Sequence, residues 1–271
     1  MPELPEVETI VRGLEPRIKG AGLAGMSLLW PPLLRRASDA GLSGLEGATV
    51  TGLRRRGKLA VIELDGGRAL VFHLKMTGQL LLARPGAPVD KHVRLVVRFS
   101  NRDIELRFRD VRKFGFLCCL GPGESAPELD RLGPEPLETG REAFAALIGG
   151  RRGRIKSVLL DQRVIAGIGN IYADEILFAS GIDPRAEASS LGPRRLERLW
   201  SSVREVLEEA ISFKGTTVRD FRDGDGFEGL FQNRLRVYGR DGEPCPRCKA
   251  PIRRLRISGR SAHFCPRCQR R

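Results

Sequence analysis

The sequence has no apolar run approaching the roughly 20 residues that a bilayer-spanning helix needs, so nothing in it reads as a membrane span. Its opening, MPELPEVETIVRGLEPRIKG, lacks the basic-then-apolar order of a secretory signal, and the expected location is the cytoplasm. No internal repeat and no long low-complexity tract interrupts the chain. Acidic residues are in short supply: 33 Asp and Glu face 47 Lys and Arg, leaving a formal charge of +14. Such a field attracts polyanions, and without a membrane span the leading partner is nucleic acid. The 271 residues suffice for two modest domains with a sizeable core.

Cysteine is scarce and unevenly placed. Two of the six, Cys118 and Cys119, lie inside the apolar run FGFLCCL and read as small buried residues on a strand. The other four form Cys245-x2-Cys248 and, after 16 residues, Cys265-x2-Cys268. In a cytosolic protein that spacing indicates one zinc ion held by four thiolates rather than disulfides. A closed four-sulfur site leaves no open coordination position, so the expected zinc is structural. Nine Lys and Arg residues lie between positions 247 and 271, making the module a candidate DNA-contacting element.

Along the chain, Val7, Ile10, Val11, Leu14 and Ile18 recur at helical spacing and predict a helix over 6–19, with Pro5 in its first turn and Gly20 as its stop. From about 48 to 120 the texture alternates. KLAVIEL-DGG-RALVFHL and VRLVVRF-SNR-DIELRFR read as hairpins of a β-sandwich or barrel-like domain. Residues 121–136 are rich in Gly and Pro and read as a linker. Helical periodicity returns around 141–148, 155–162, 171–179 and 194–213. The expected domains are therefore 1–120, 137–225 and a metal module at 236–271.

The N-terminus invites a chemical reading. Methionine before a small residue is normally removed, and that would expose the secondary amine of Pro2. An α-amino group titrates near pH 8, about two units below a lysine, so much of it is an uncharged nucleophile at neutral pH. Attack on an aldehyde-like carbon gives an iminium, an electron sink that eases β-elimination. Glu3 and Glu6 follow as proton donors or acceptors. From the residues alone, PE-x-PE is equally a proline-shaped lead-in to a helix.

Several motifs in order resolve that ambiguity: PELPEVETIVRGL at 2–14, RRGK at 55–58, HLKMTG at 73–78, DVRKFG at 110–115, LGPEPL at 132–137, DQRVIAGIGNIYADEILF at 161–178, KGTTVRDF at 214–221, VYGRDGEPC at 237–245 and the terminal cysteine module. On these the chain resembles the formamidopyrimidine-DNA glycosylase family over essentially its whole length. The resemblance implies an α+β multidomain fold: an N-terminal β-sandwich carrying the first helix, a helix-two-turn-helix domain and a C-terminal zinc finger, with damaged duplex DNA in the cleft between. It also implies base-excision repair. The damaged nucleotide is flipped out, Pro2 attacks C1′ as an oxidised purine leaves, and β- and δ-elimination cut the strand.

Carried over by position, Pro2 is the nucleophile, Glu3 the general acid/base and Lys58 the proton donor linked with β-elimination. Arg260 would assist δ-elimination or grip phosphate; as a guanidinium it stays protonated, which favours the grip. Met76, Arg112 and Phe114 would fill the space left by the flipped base. Asn170 would cap the helix that follows it and hold a phosphate. Arg154, Lys156 and His92 would contact further phosphates, while His73 and His263 read as structural. Arg219 stands where the family often has lysine and preserves the charge, and residues 222–230, the family's base-capping loop, match poorly. A monomer without an obligate protein partner is expected, nucleoid-associated when acting on DNA. The competing readings are an endonuclease VIII-like enzyme for oxidised pyrimidines, which typically opens PEGPE rather than PELPE, and a non-catalytic zinc-containing DNA-binding protein.

Overall fold

The computed structural model describes residues 1–37, 41–218 and 221–271; Arg219 therefore lies outside the described residues. Contacts divide the chain into two compact units. One comprises Met1–Asp130 with Phe213–Leu230, the other Arg131–Ser212 with Phe231–Arg271.

In the first unit, helix α1 (Leu4–Ile18) buries Val7, Ile10, Val11, Leu14 and Ile18, the stripe visible in the sequence. It begins two residues earlier than its apolar period suggests, because Glu3 and Glu6 form a reciprocal capping box around the first turn. Among the described residues nine strands follow: β1 (Leu23–Leu28), β2 (Leu34–Arg36), β3 (Val50–Arg56), β4 (Leu59–Leu64), β5 (Arg68–His73), β6 (Gly78–Ala83), β7 (Val93–Phe99), β8 (Glu105–Asp110) and β9 (Phe116–Leu120). They form two sheets, in the orders β1-β7-β8-β6 and β2-β9-β5-β4-β3. Both expected hairpins are present, with Leu64 opposite Arg68 in one and Arg98 opposite Glu105 in the other. One apolar cluster joins the sheets and α1, and Phe72 of β5 stacks on Phe108 of β8 with centroids 5.8 Å apart. The architecture is the expected sandwich. The chain passes from one sheet to the other three times, through 29–33, 74–77 and 111–115, and the last two connections carry candidate site residues.

The contact division differs from the expected domain bounds in two places. Residues 121–136 are not all linker: helix α2 (Pro127–Asp130) belongs to the first unit, where Arg35 bonds Glu128 at 3.0 Å. The contact division also differs from the expected 137–225 domain in assigning Phe213–Leu230 to the first unit. Segment 213–230 returns to the first unit because Phe221 enters its core, the Leu82 N–H donates to the Gly224 carbonyl at 2.9 Å, and Gly224 lies against Leu14.

The second unit holds helices α3 (Arg141–Gly149), α4 (Ile155–Leu160), α5 (Asn170–Ser180) and α6 (Pro193–Ser212), then strands β10 (Arg253–Ile257) and β11 (Arg260–Phe264). The α6 stripe Leu196, Leu199, Val203, Val206, Leu207 and Ala210 is buried, and α6 packs on α3 and α5. Motif LGPEPL fits motif DQRVIAGIGN through backbone pairing. The Gly133 N–H donates to the Gln162 carbonyl at 2.8 Å, and the Ala166 N–H to that of Pro134 at 3.0 Å. A Cβ at Gly133 would lie 2.5 Å from the Val164 oxygen, so only glycine permits this approach.

Candidate active site and metal centre

In the first unit the capping box places two carboxylates at the head of α1. Pro2 is buried, and Glu3 and Glu6 are only 2% and 1% exposed. Glu6 accepts the Glu3 N–H at 2.8 Å with one oxygen and the Thr216 N–H at 2.7 Å with the other. It therefore ties the N-terminal turn to the returning segment. Gly215 makes room for this tie: its φ is +78°, and a Cβ there would lie 2.8 Å from the Glu6 Oε1. From the sequence Glu6 reads as a favourable first-turn acid and a proton carrier, not as a tie to a distant segment. The E-x-x-E spacing is its one signal, obscured because capping boxes usually begin with Ser or Thr.

Lys58 sits in the tight β3–β4 turn after Gly57, which has φ +56°, and is 8% exposed. Arg55 of the same RRGK motif donates to Glu8 of α1 at 2.8 Å, fastening this turn to the helix that Pro2 and Glu3 lead into. Burial pushes the Glu8 carboxyl up, but hydrogen bonds from Arg55 and Arg12 outweigh it and hold the group below its ordinary value. His73 is neutral, as a structural residue should be. Burial first, then the charges of Lys75, Lys58 and Arg35, push it down to about 3, and its Nδ1 accepts the Lys75 N–H at 3.0 Å.

Met76 and Phe114, 39% and 51% exposed, project from the connections at 74–77 and 111–115, and the Arg112 guanidinium lies 4.6 Å from the Phe114 ring centroid. Exposed bulky apolar groups on short connections are not sandwich packing. His92 is half-buried beside Asp90, whose carboxylate accepts the His92 N–H at 3.0 Å. Cys118 and Cys119 lie on β9, where burial raises their thiols to about 11 and about 12 and leaves them unreactive.

In the second unit, exposed Arg154 caps α4 and exposed Arg260 opens β11 after the left-handed Ser258-Gly259 turn. Lys156 corrects an expectation. It is fully buried, and its ammonium donates to Asp174 at 2.6 Å and to the Ser261 carbonyl at 2.5 Å, so it is not displayed to a phosphate. The lysine was read as surface charge because nothing local marks Asp174 as its partner. The Asp174 carboxylate also accepts the His263 N–H at 2.9 Å, and the His263 Nδ1 lies 3.0 Å away, which makes His263 structural. Next to it, Glu175 accepts the N–H groups of Arg236, Val237 and Tyr238, each at 2.9 Å. Burial raises Glu175, and those three bonds oppose the shift. Two adjacent acids within the apolar run IYADEILF were the missed signal for this clamp.

Asn170 is the first residue of α5 rather than its cap, a place taken by Gly169. Its Oδ1 is buried and accepts no hydrogen bond among the described residues. A helix N-terminus favours an anionic oxygen through its backbone N–H groups; the Asn170 Oδ1, an acceptor, is not the atom that would meet it.

The four module cysteines converge, with ligand sulfurs all within 4.8 Å of one another; Cys245 and Cys268 are 3.8 Å apart, Cys248 and Cys265 3.4 Å. Sulfurs at about 2.3 Å from a tetrahedral zinc are about 3.8 Å apart, so the donor set fits that ion. Both pairs are fastened by turns, with the Lys249 N–H donating to the Cys245 carbonyl at 2.9 Å and the Gln269 N–H to that of Cys265 at 3.1 Å.

A buried Pro2 beside a buried carboxylate in the first unit, and a basic four-thiolate hairpin in the second, are the features of a zinc-finger protein suited to DNA. Family models give that class a particular member. The formamidopyrimidine-DNA glycosylase N-terminal domain matches residues 1–117, its H2TH domain 132–222, and the zinc finger found in FPG and IleRS 242–271. The chain is 47% identical over 259 residues to formamidopyrimidine-DNA glycosylase of Moorella thermoacetica, covering 94% of each, and 45% identical to that of Symbiobacterium thermophilum. Its structure is similar to that of a Lactococcus lactis Fpg variant complexed with Fapy-dG-containing DNA (TM-score 0.92, 36% identity, all of both chains). It is likewise similar to the Fpg protein of Thermus thermophilus (TM-score 0.88, 40% identity, 99% and 98% of the chains). The chain belongs to the formamidopyrimidine-DNA glycosylase family, and it is a DNA glycosylase with one structural zinc. Among the described residues no helix is long and apolar enough to cross a membrane.

Proposed function

We propose that the protein excises oxidised purines from damaged duplex DNA and then cleaves the strand, with the Pro2 amine as nucleophile once Met1 is gone. The observation that carries the reading is Pro2 buried at the head of α1 beside the buried Glu3 carboxylate. An amine in that position is partly desolvated, which favours its neutral, nucleophilic form.

The Pro2 nitrogen attacks C1′ as the glycosidic bond breaks, the base departs with a proton, and the sugar ring opens to the iminium. Loss of a C2′ proton expels the 3′ phosphate, and a second elimination expels the 5′ phosphate. Glu3 moves protons at the sugar and Lys58 supplies one during β-elimination. Arg154, Asn170, His92 and Arg260 hold phosphates, and Met76, Arg112 and Phe114 occupy the space the base vacates. The zinc orders the hairpin that carries Arg260 and takes no part in the chemistry. The protein acts as a monomer in the cytoplasm, at the nucleoid. Base release from duplexes carrying 8-oxoguanine opposite cytosine, compared with thymine glycol, tests the lesion class. Preference for 8-oxoguanine is expected, and preference for thymine glycol would reassign the enzyme to oxidised pyrimidines.

A further inference from the structure

We propose that Asp110 and Thr77 are positioning residues for base extrusion, locking together the two connections that present Met76, Arg112 and Phe114. The proposal rests on the void-filling reading of those three residues given above. Asp110 is fully buried and Thr77 7% exposed, and the threonine hydroxyl donates to the Asp110 Oδ1. The Arg112 N–H is shared between the Thr77 hydroxyl at 3.1 Å and the same carboxylate oxygen at 3.2 Å. The other oxygen, Oδ2, accepts the Gly115 N–H at 2.8 Å. One carboxylate thus gathers the connection after β5 and both ends of the connection after β8. Register makes this possible: Gly78 stands opposite Asp110 in the β6–β8 pair, so both connections leave the same end of one sheet.

The main chain at this corner is equally constrained. The Asp110 N–H donates to the His92 carbonyl at 2.9 Å, and the Arg94 Nε donates to the Asp110 carbonyl at 3.0 Å. Among the described residues no basic side chain pairs with the Asp110 carboxylate, whose acceptor sites are spent on the two connections. A buried carboxylate without an ion pair is an expensive filler, and an apolar residue would pack there at less cost. Its three donors are what keep it. Both connections also hold a lysine in the left-handed region, Lys75 at φ 52° and Lys113 at φ 58°, a conformation that surrounding structure must impose. Gly115 has no room for a side chain, since a Cβ would lie 2.5 Å from the Phe108 ring and 3.1 Å from the Asp110 Oδ2.

The consequence concerns how the wedge is held. Met76 and Phe114 are too exposed to be fixed by burial, so their direction is set by the backbone beneath them. A rigid corner spends the ordering entropy at folding, and the wedge enters the base stack without spending it again.

The test compares base release from a duplex carrying 8-oxoguanine opposite cytosine with cleavage of a single strand carrying a preformed abasic site. The single strand has no base to extrude and no orphaned partner. Thr77→Val keeps shape and removes the hydroxyl, Asp110→Asn turns one acceptor into a donor facing an N–H, and Thr77→Ser restores the hydroxyl. With melting checked for each, single-turnover base release from the duplex should fall about 10- to 100-fold in Thr77→Val and Asp110→Asn, as expected for a small misplacement. Single-strand cleavage should fall far less, and Thr77→Ser should recover the duplex rate. Equal losses on both substrates, or no loss, overturn the proposal. Met76→Ala and Phe114→Ala separate the two levels. If they lose no more on the duplex than on the single strand, the void-filling reading fails as well. If they do lose selectively while Thr77→Val does not, only the positioning role is wrong.

Discussion

Lys156→Met is the sharpest probe of how the second unit is built. The lysine and Asp174 are both fully buried, and the ammonium bonds the carboxylate and the Ser261 carbonyl. Methionine fills the stem volume but leaves Asp174 as a buried charge with only the His263 contacts. Removing one partner of such a pair costs about 3–5 kcal/mol. At about 2–4 °C per kcal/mol for a body of this size, melting should fall by about 6–20 °C. Adding Asp174→Asn to Lys156→Met should recover a large part of that loss, because the amide carries no charge yet still accepts the His263 N–H. Calorimetry reads the melting, and a chromophoric chelator reads zinc release, which should begin earlier because Ser261 and His263 lie on β11. A contrary result is well defined. If Lys156→Met melts like wild type but weakens DNA binding and lowers the salt slope by about one, the lysine is a phosphate contact and the burial argument is wrong.

Other perturbations follow the same logic. Gly215→Ala forces a left-handed alanine onto Glu6 and should cost about 1–3 kcal/mol with a marked loss of base release; unchanged stability and rate would show that the Glu6 tie is dispensable. His73 has a folded pKa of about 3 against 6.5 unfolded, so above about pH 6.5 it contributes nothing. As pH falls the unfolded chain takes up a proton that the folded one refuses, and stability drops by about 1.4 kcal/mol per unit, or about 2 kcal/mol at pH 5. Urea titrations of wild type and His73→Gln should therefore diverge below pH 6.5, and parallel curves would contradict the assignment. Cys248→Ser should lose the zinc and lower the melting temperature; undiminished zinc stoichiometry would refute the four-thiolate centre.

The sequence was most legible where physics is local. The α1 and α6 stripes, the two hairpins and the C-x2-C pairs each follow from a period or a spacing, and each is present. Residues whose partners are distant in sequence were harder to read. Lys156 looks like surface charge until Asp174, 18 residues on, and Ser261, 105 residues on, close around it. Glu6 looks like a favourable first-turn acid until Thr216, 210 residues away, donates to it. Strands β1 and β2 escaped because LAGMSL and LRR carry no clean alternation, their pairing being dictated by β7 and β9. The same non-locality moved 213–230 out of the helical unit. Pro2 is the opposite case. Its chemistry can be written from one residue, but its standing depends on the ordered motifs around it.

The most direct measurement is borohydride reduction of the protein, Met1 removed, with a duplex carrying 8-oxoguanine opposite cytosine, followed by mass spectrometry of the adduct. The account predicts a covalent protein–DNA species joined at the Pro2 nitrogen and lost in Pro2→Gly. No adduct with wild type, or equal trapping through another residue in Pro2→Gly, would contradict it.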